Sequence, residues 1–176
     1  EKAVLRILTP LLKLYTAKQA VSLVSEVLEG FGGAGYVEDT GLPKFLRDTQ
    51  VLSIWEGTTN ILSLDVLRSM EKEKTIEPFF KDLETRLESI KHEELQNATQ
   101  KVKVSINKIK KFLYEASKKE SDFVEASARS LAYSLSRVFC ASLLLEHAEY
   151  TINNKANDDF ILPALRWCEK DLAPLI

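Results

Sequence analysis

EGFGGAGYVEDTGLPKFLRDTQVLSIWEGTTNIL, Glu29 to Leu62, decides how the chain folds, because it interrupts an otherwise helical pattern. Upstream, Ala20, Leu23, Val24, Val27 and Leu28 share one face at the 3-and-4 spacing of an amphipathic helix over Ala17 to Leu28, which Pro10 starts or kinks. Five of the six glycines then lie between Gly30 and Gly41, a density that permits positive φ and close backbone approach and ends the helix. Pro43 suits the first turn of a short helix over Lys44 to Gln50, and Thr58 to Met70 forms another with Ile61, Leu64, Val66 and Leu67 as its apolar positions. Between these helices Glu56 stands beside Trp55 and before Gly57. It is either part of a helix-initiating turn or a carboxylate in a partly apolar pocket, with helix N–H groups aimed at a ligand.

Beyond Met70 the pattern simplifies. The charged stretch Glu71 to Pro78 reads as a linker, dividing residues 1–70 from an additional helical domain over 79–176. Phe79, Leu83, Leu87 and Ile90 give one amphipathic helix, and Val102, Ile106, Ile109, Leu113 and Ala116 a second with lysines on its other faces. Asp122 to Tyr150 is a long third, carrying Ala128, Leu131, Leu135, Val138, Phe139, Leu143 and Leu144. Asn153 to Asp159 reads as a polar turn and Phe160 to Leu175 as a closing helix. Helices of this size joined by short turns predict an all-α fold, an antiparallel bundle with a helical extension.

The 176 residues are 45% hydrophobic and 28% charged, enough for one core or two small ones. The net charge of −2 gives no bulk electrostatic case for nucleic acid or an anionic membrane, and residues 71–176 carry 17 Lys and Arg against 18 Asp and Glu. Lys101 to Lys119 holds seven lysines, but its apolar stripe makes them the solvated faces of an amphipathic helix. No apolar run reaches the roughly 18 residues that span a bilayer. Cys140 and Cys168 lack metal spacing and read as reduced core residues of an intracellular protein. His92 and His147 each stand near a glutamate without a third ligand, and Trp167 reads as packing. The opening EKAVLRILTP lacks an initiator Met and a signal segment, as a fragment of a longer chain would.

The GGAGY turn, the short helix with Arg47 and Asp48, and Trp55-Glu56-Gly57-Thr58 follow one another in an order and spacing that resemble the C-terminal signature of the acyl-CoA dehydrogenase family over residues 1–70. The resemblance implies FAD as cofactor, an acyl-CoA substrate, a homo-oligomer (dimer or tetramer), an electron-transfer acceptor protein and mitochondrial residence. It makes Glu56 the catalytic base and Gly57 a substrate contact. Thr58, Thr59 and Asn60 become FAD contacts, and Glu29, Gly30, Phe31, Gly32 and Gly33 contacts to FAD from the neighbouring subunit. Arg47 and Asp48 remain structural, an ion pair or a backbone anchor. The chemistry fits these residue types. Removing the α-proton of an acyl thioester needs a positioned carboxylate, Trp55 would exclude water and raise the Glu56 pKa, and the N–H groups opening the next helix favour an anionic group.

Each motif has a plainer reading alone: Glu56-Gly57-Thr58 as a helix start, Gly32 and Gly33 as helix-ending glycines. Glu29, where many family members carry Gln, together with Trp55 and the helical extension, resembles the AidB-like branch, whose bacterial members are associated with DNA as well as flavin. Two functions follow. One is the C-terminal part of an FAD-dependent dehydrogenase forming trans-2-enoyl-CoA; the other is a flavin-bearing protein that binds acyl chains or nucleic acid with little turnover. In either case this chain supplies one wall of the site and is expected, alone, to bind no FAD and oxidise no acyl-CoA.

Overall fold

A computed structural model describes residues 1–154 and 160–175. Among them are seven helices: α1 Lys2–Gly30, α2 Pro43–Val51, α3 Thr59–Glu73, α4 Ile76–Ser89, α5 Glu93–Ala116, α6 Ser121–Asn153 and α7 Ile161–Cys168. Helix α6 is the axis of the bundle and packs against α1, α3, α4, α5 and α7. Its composition permits this. Ala132, Ser134, Ala141, Ser142 and Ala148 are fully buried small residues that let neighbouring helices approach, while Leu131, Leu135, Val138 and Leu145 fill the space between. The buried hydroxyls bond within the helix itself, Ser134 to the Ser130 carbonyl at 2.7 Å and Ser136 to that of Ala132 at 2.9 Å, so they cost little in the apolar interior.

The apolar stripes of α4 and α5 point inward as their spacing requires: Phe79, Leu83, Leu87 and Ile90, then Val102, Ile106 and Ile109, are buried in one core with residues of α1, α3, α6 and α7. Two lysines of α5 and one in the turn after it are engaged within the chain. Lys108 donates to the Ala173 carbonyl at 2.7 Å and Lys110 to Glu84 at 2.6 Å, while the Lys118 ammonium lies 3.8 Å from the centre of the Tyr114 ring.

Four sequence expectations change. Pro10 lies inside α1 rather than at its start; the hydrogen bond it removes is offset by burial of its neighbours Ile7, Leu11 and Leu14. The face at Ala20 to Leu28 is only partly covered, with Leu23 64% and Val27 51% exposed, because α1 is about 44 Å long and its second half outruns the helices that cover its first. The stretch 71–78 is no extended tether: α3 continues through Glu73, Lys74 turns the chain at φ 50°, and Thr75 is buried with its hydroxyl 3.1 Å from that of Ser69. The closing helix stops at Cys168 rather than reaching Leu175; beyond it the Asp171 carboxylate accepts the Ala173 N–H at 3.1 Å, and Pro174 disfavours helical backbone at Ala173. Most of the turn expected over Asn153 to Asp159 lies outside the described residues.

Arg6 fastens α1 to α3. Its guanidinium grips both Asp65 oxygens at 2.9 Å and donates to Glu73 at 2.8 Å. The hydrogen bonds from Arg6 hold the Asp65 carboxyl below the usual carboxylate range. A depressed folded-state value contributes stability that is present above the unfolded value near pH 4 and lost as pH falls through the folded one. Asp65→Asn should therefore cost about 1 kcal/mol at neutral pH. Urea unfolding at pH 7 and pH 3 checks this: the gap between variant and parent should narrow at the lower pH, and an unchanged gap would mean the ion pair is not its source.

Candidate functional site

After α2 the chain makes a tight turn, Ser53 N–H bonding to the Gln50 carbonyl and Trp55 N–H to that of Val51, and then leaves helical geometry. Glu56 follows at φ 53° and Gly57 at φ 111°. The first value is left-handed backbone for a residue with a Cβ, costing about 1 kcal/mol or more, and such strain persists only where surroundings impose it. The second is open in practice to glycine alone, and a Cβ at Gly57 would also come within 3.1 Å of Leu62 Cδ2. Thr58 is the extended residue before α3 and its side-chain oxygen accepts no N–H of the first turn, so its helix begins without a side-chain cap. The Thr58 carbonyl accepts from Leu62 at 3.0 Å, closing the first turn.

Glu56 is exposed and accepts no hydrogen bond among the described residues. Trp55 is 53% exposed and Ile61 61%, so within this chain the tryptophan does not dry the carboxylate as the sequence suggested. Gly57 is half-buried, Thr58 and Asn60 are exposed, and Thr59 is buried under the helix start.

The other candidate group lies elsewhere. Glu29 and Gly30 are the last two residues of α1, Phe31 is 55% exposed, and Gly32 and Gly33 begin a tight turn over Gly32–Gly35. Glu29, Gly30, Phe31, Gly32 and Gly33 are all exposed. The structure thus makes two clusters, Glu56 to Asn60 and Glu29 to Gly33. They are fastened at points about 24 Å apart along α1, because Lys13, whose ammonium holds the Glu56 loop, is 16 residues before Glu29.

That lysine was not foreseen. Its ammonium donates to the carbonyls of Leu52 at 2.7 Å, Trp55 at 2.6 Å and Gly57 at 3.2 Å. Carbonyls leave no trace in a sequence, and the one available signal was a cation in the otherwise apolar run Leu11 to Tyr15. Gly35 was missed for a different reason. It is buried, and a Cβ there would stand 2.1 Å from the Leu28 carbonyl oxygen, so the turn can close on α1 only around glycine. Arg47 pairs with Glu38 through two bonds of 2.7 and 2.9 Å and holds that carboxyl below its ordinary range, so its partner is not the adjacent Asp48.

The remaining candidates are structural. The backbone N–H of His92 donates to Glu149 at 2.9 Å, and His147 meets the Phe160 ring edge-on at 4.4 Å. The Trp167 indole donates to the Arg137 carbonyl at 3.2 Å and stands edge-on to Tyr15. Cys140 and Cys168 are free thiols, and burial pushes Cys168 up to about 11. Among the described residues no three His, Cys, Asp or Glu side chains gather as a metal site needs, and no helix is long and apolar enough to cross a membrane.

Residues 74–176 match the acyl-CoA dehydrogenase 11 C-terminal domain-like family, and residues 1–71 match the acyl-CoA dehydrogenase C-terminal domain. Acyl-CoA dehydrogenase family member 11 of Caenorhabditis elegans is 43% identical over 174 residues, which are 96% of this chain and 28% of the relative. The putative acyl-CoA dehydrogenase AidB of Escherichia coli is 44% identical over 68 residues, 39% of this chain and 13% of that protein. The crystal structure of the Caenorhabditis elegans ACDH-11 in complex with C11-CoA has a TM-score of 0.92 at 42% identity, covering 99% of this chain and 30% of that one. The chain therefore spans less than a third of the length of these relatives.

Proposed function

The chain belongs to the acyl-CoA dehydrogenase family, and from that premise we propose that it is the C-terminal helical part of an FAD-dependent enzyme that oxidises a fatty acyl-CoA to the trans-2-enoyl thioester. Glu56 is the base that takes the α-proton. The observation that carries this reading is the backbone at Glu56: a non-glycine residue at φ 53°, its carboxylate free, at the mouth of an uncapped helix. A plain helix start would put no strain on the acid.

Bound FAD supplies the acceptor for the two electrons leaving Cβ. The residues present fit such a group. The first N–H groups of α3 have no side-chain cap and offer an anion the positive end of a helix, with Thr58 and Asn60 exposed beside them. Gly57 leaves room for a thioester to approach the loop. The exposed apolar surfaces of Trp55 and Ile61 become a dry wall once a ligand or a neighbouring domain covers them, which would keep water from the carboxylate. The separation of Glu29 to Gly33 from Glu56 along α1 supports their serving a second flavin site, in a homo-oligomer, through the exposed end of that helix. A mitochondrial location and an electron-transfer acceptor protein follow the family habit.

An anaerobic titration of the full-length flavoprotein with saturated acyl-CoAs of increasing chain length tests the proposal. The relative that binds C11-CoA makes medium chains the starting point. Bleaching of the oxidised flavin band is the expected result. Tight acyl-CoA binding without bleaching at any chain length would instead favour a protein that holds acyl chains with little turnover.

A further inference from the structure

We propose that Lys13 is the positioning residue for the catalytic loop: its ammonium, by binding the carbonyls on both sides of Glu56, fixes where the carboxylate stands. This rests on the reading of Glu56 as the base.

Three carbonyl oxygens, of Leu52, Trp55 and Gly57, converge on Lys13 Nζ at 2.7, 2.6 and 3.2 Å. An ammonium carries three donors, and here all three are used on backbone. The acceptors bracket Glu56 in sequence, one residue before it and one after, with Leu52 at the exit of α2. Among the described residues the N–H groups of Glu56 and Gly57 make no hydrogen bond, and the turn's own bonding ends at Trp55. The loop therefore has charge-assisted bonds to a single side chain where it lacks a ladder of its own. That side chain rises from the middle of α1, between the buried Leu11 and Leu14, so its base is part of the rigid core. The contact also accounts for the strained backbone. Pulling the carbonyls of residues 55 and 57 toward one point turns the peptides on either side of Glu56, and left-handed φ at residue 56 accompanies that closure.

A base displaced by about an ångström from its proton can lose about a hundredfold in rate while the substrate still binds. Lys13→Met keeps the length of the stem and removes the donors. In the full-length flavoprotein it should slow the limiting rate of flavin reduction by saturating acyl-CoA roughly a hundredfold. FAD content should stay the same, and so should the acyl-CoA dissociation constant, measured by the ligand-induced shift of the flavin spectrum. Lys13→Arg keeps the charge but presents a planar fork that cannot serve three converging oxygens. It should be slowed about five- to tenfold. A merely structural lysine would change melting temperature and FAD retention without this graded loss at full flavin occupancy.

The second step is the pair with Glu56→Gln. If Lys13 acts through the base, Lys13→Met should slow the residual reduction of Glu56→Gln by less than twofold, because the two losses are one loss. A Lys13→Met protein that reduces at the parent rate overturns the proposal while leaving Glu56 as the base. So does full additivity of the two substitutions. Should Lys13→Met fail to fold, Lys13→Arg decides: a rate within twofold of the parent overturns the proposal, and a five- to tenfold loss with unchanged affinity supports it. A Glu56→Gln protein with normal reduction would remove the reading on which both stand.

Discussion

Glu56→Gln in the full-length protein should lower acyl-CoA-dependent flavin reduction by roughly a thousandfold or more while FAD stays bound. The amide matches the carboxylate in shape and has the same Cβ, so the left-handed backbone at φ 53° is no harder to hold. Within this chain Glu56 makes no hydrogen bond or ion pair that the change would break, and exposed substitutions of this kind move stability by about half a kcal/mol or less. What is lost is proton affinity. An α-proton of a thioester is weakly acidic, and an amide at the same position cannot accept it at any useful rate. Stopped-flow reduction at saturating substrate, with FAD content measured on the same preparation, gives both halves of the expectation. A reduction rate near that of the parent would place the base on another residue.

Helical periodicity predicted which segments become helices, because burial needs a stripe and a stripe is visible. Phe79, Leu83 and Leu87 in α4, and Val102, Ile106 and Ile109 in α5, are buried where their spacing put them. The same rule could not say what covers a stripe. Leu23 and Val27 obey it as well as Leu11 and Leu14 do, yet remain exposed, because the second half of α1 runs on past the helices that cover its first. The charge of Glu71 to Lys74 suggested a linker, since charged residues shun cores, but those side chains need only one face of a helix end to reach water. At the candidate site, residue types pointed to Glu56 and its neighbours. The support beneath them was hidden, because Lys13 acts on carbonyls that every residue possesses. Trp55 could be read as a shield, but a shield needs a second wall, and a sequence gives no distance between walls.

The glycines of the turn after α1 were the least separable part of the sequence, and the structure sorts them. At Gly35 a Cβ would fall 2.1 Å from the Leu28 carbonyl oxygen and 2.9 Å from its carbon. Both are backbone atoms of the helix that the turn folds against, so no side chain can rotate away to relieve the overlap. Gly35→Ala must open the turn, lengthening the bonds from Tyr36 and Val37 N–H to the Gly33 carbonyl, both 3.1 Å. The expected cost is about 3 kcal/mol, at the upper end for an overpacked site. Gly33 offers the control. Nothing lies within 4 Å of a Cβ there and its φ is not positive, so Gly33→Ala should leave stability within about 1 kcal/mol of the parent. Melting temperatures of the matched variants test the contrast, and equal losses would mean that the turn is not packed as described. The pair also separates fold from cofactor. If Gly33 meets a flavin of the neighbouring subunit, its alanine variant keeps the melting transition of the protein portion but releases FAD more readily. Gly35→Ala, in contrast, should lose both together, because the surface that would meet the flavin is the turn that Gly35 allows to close.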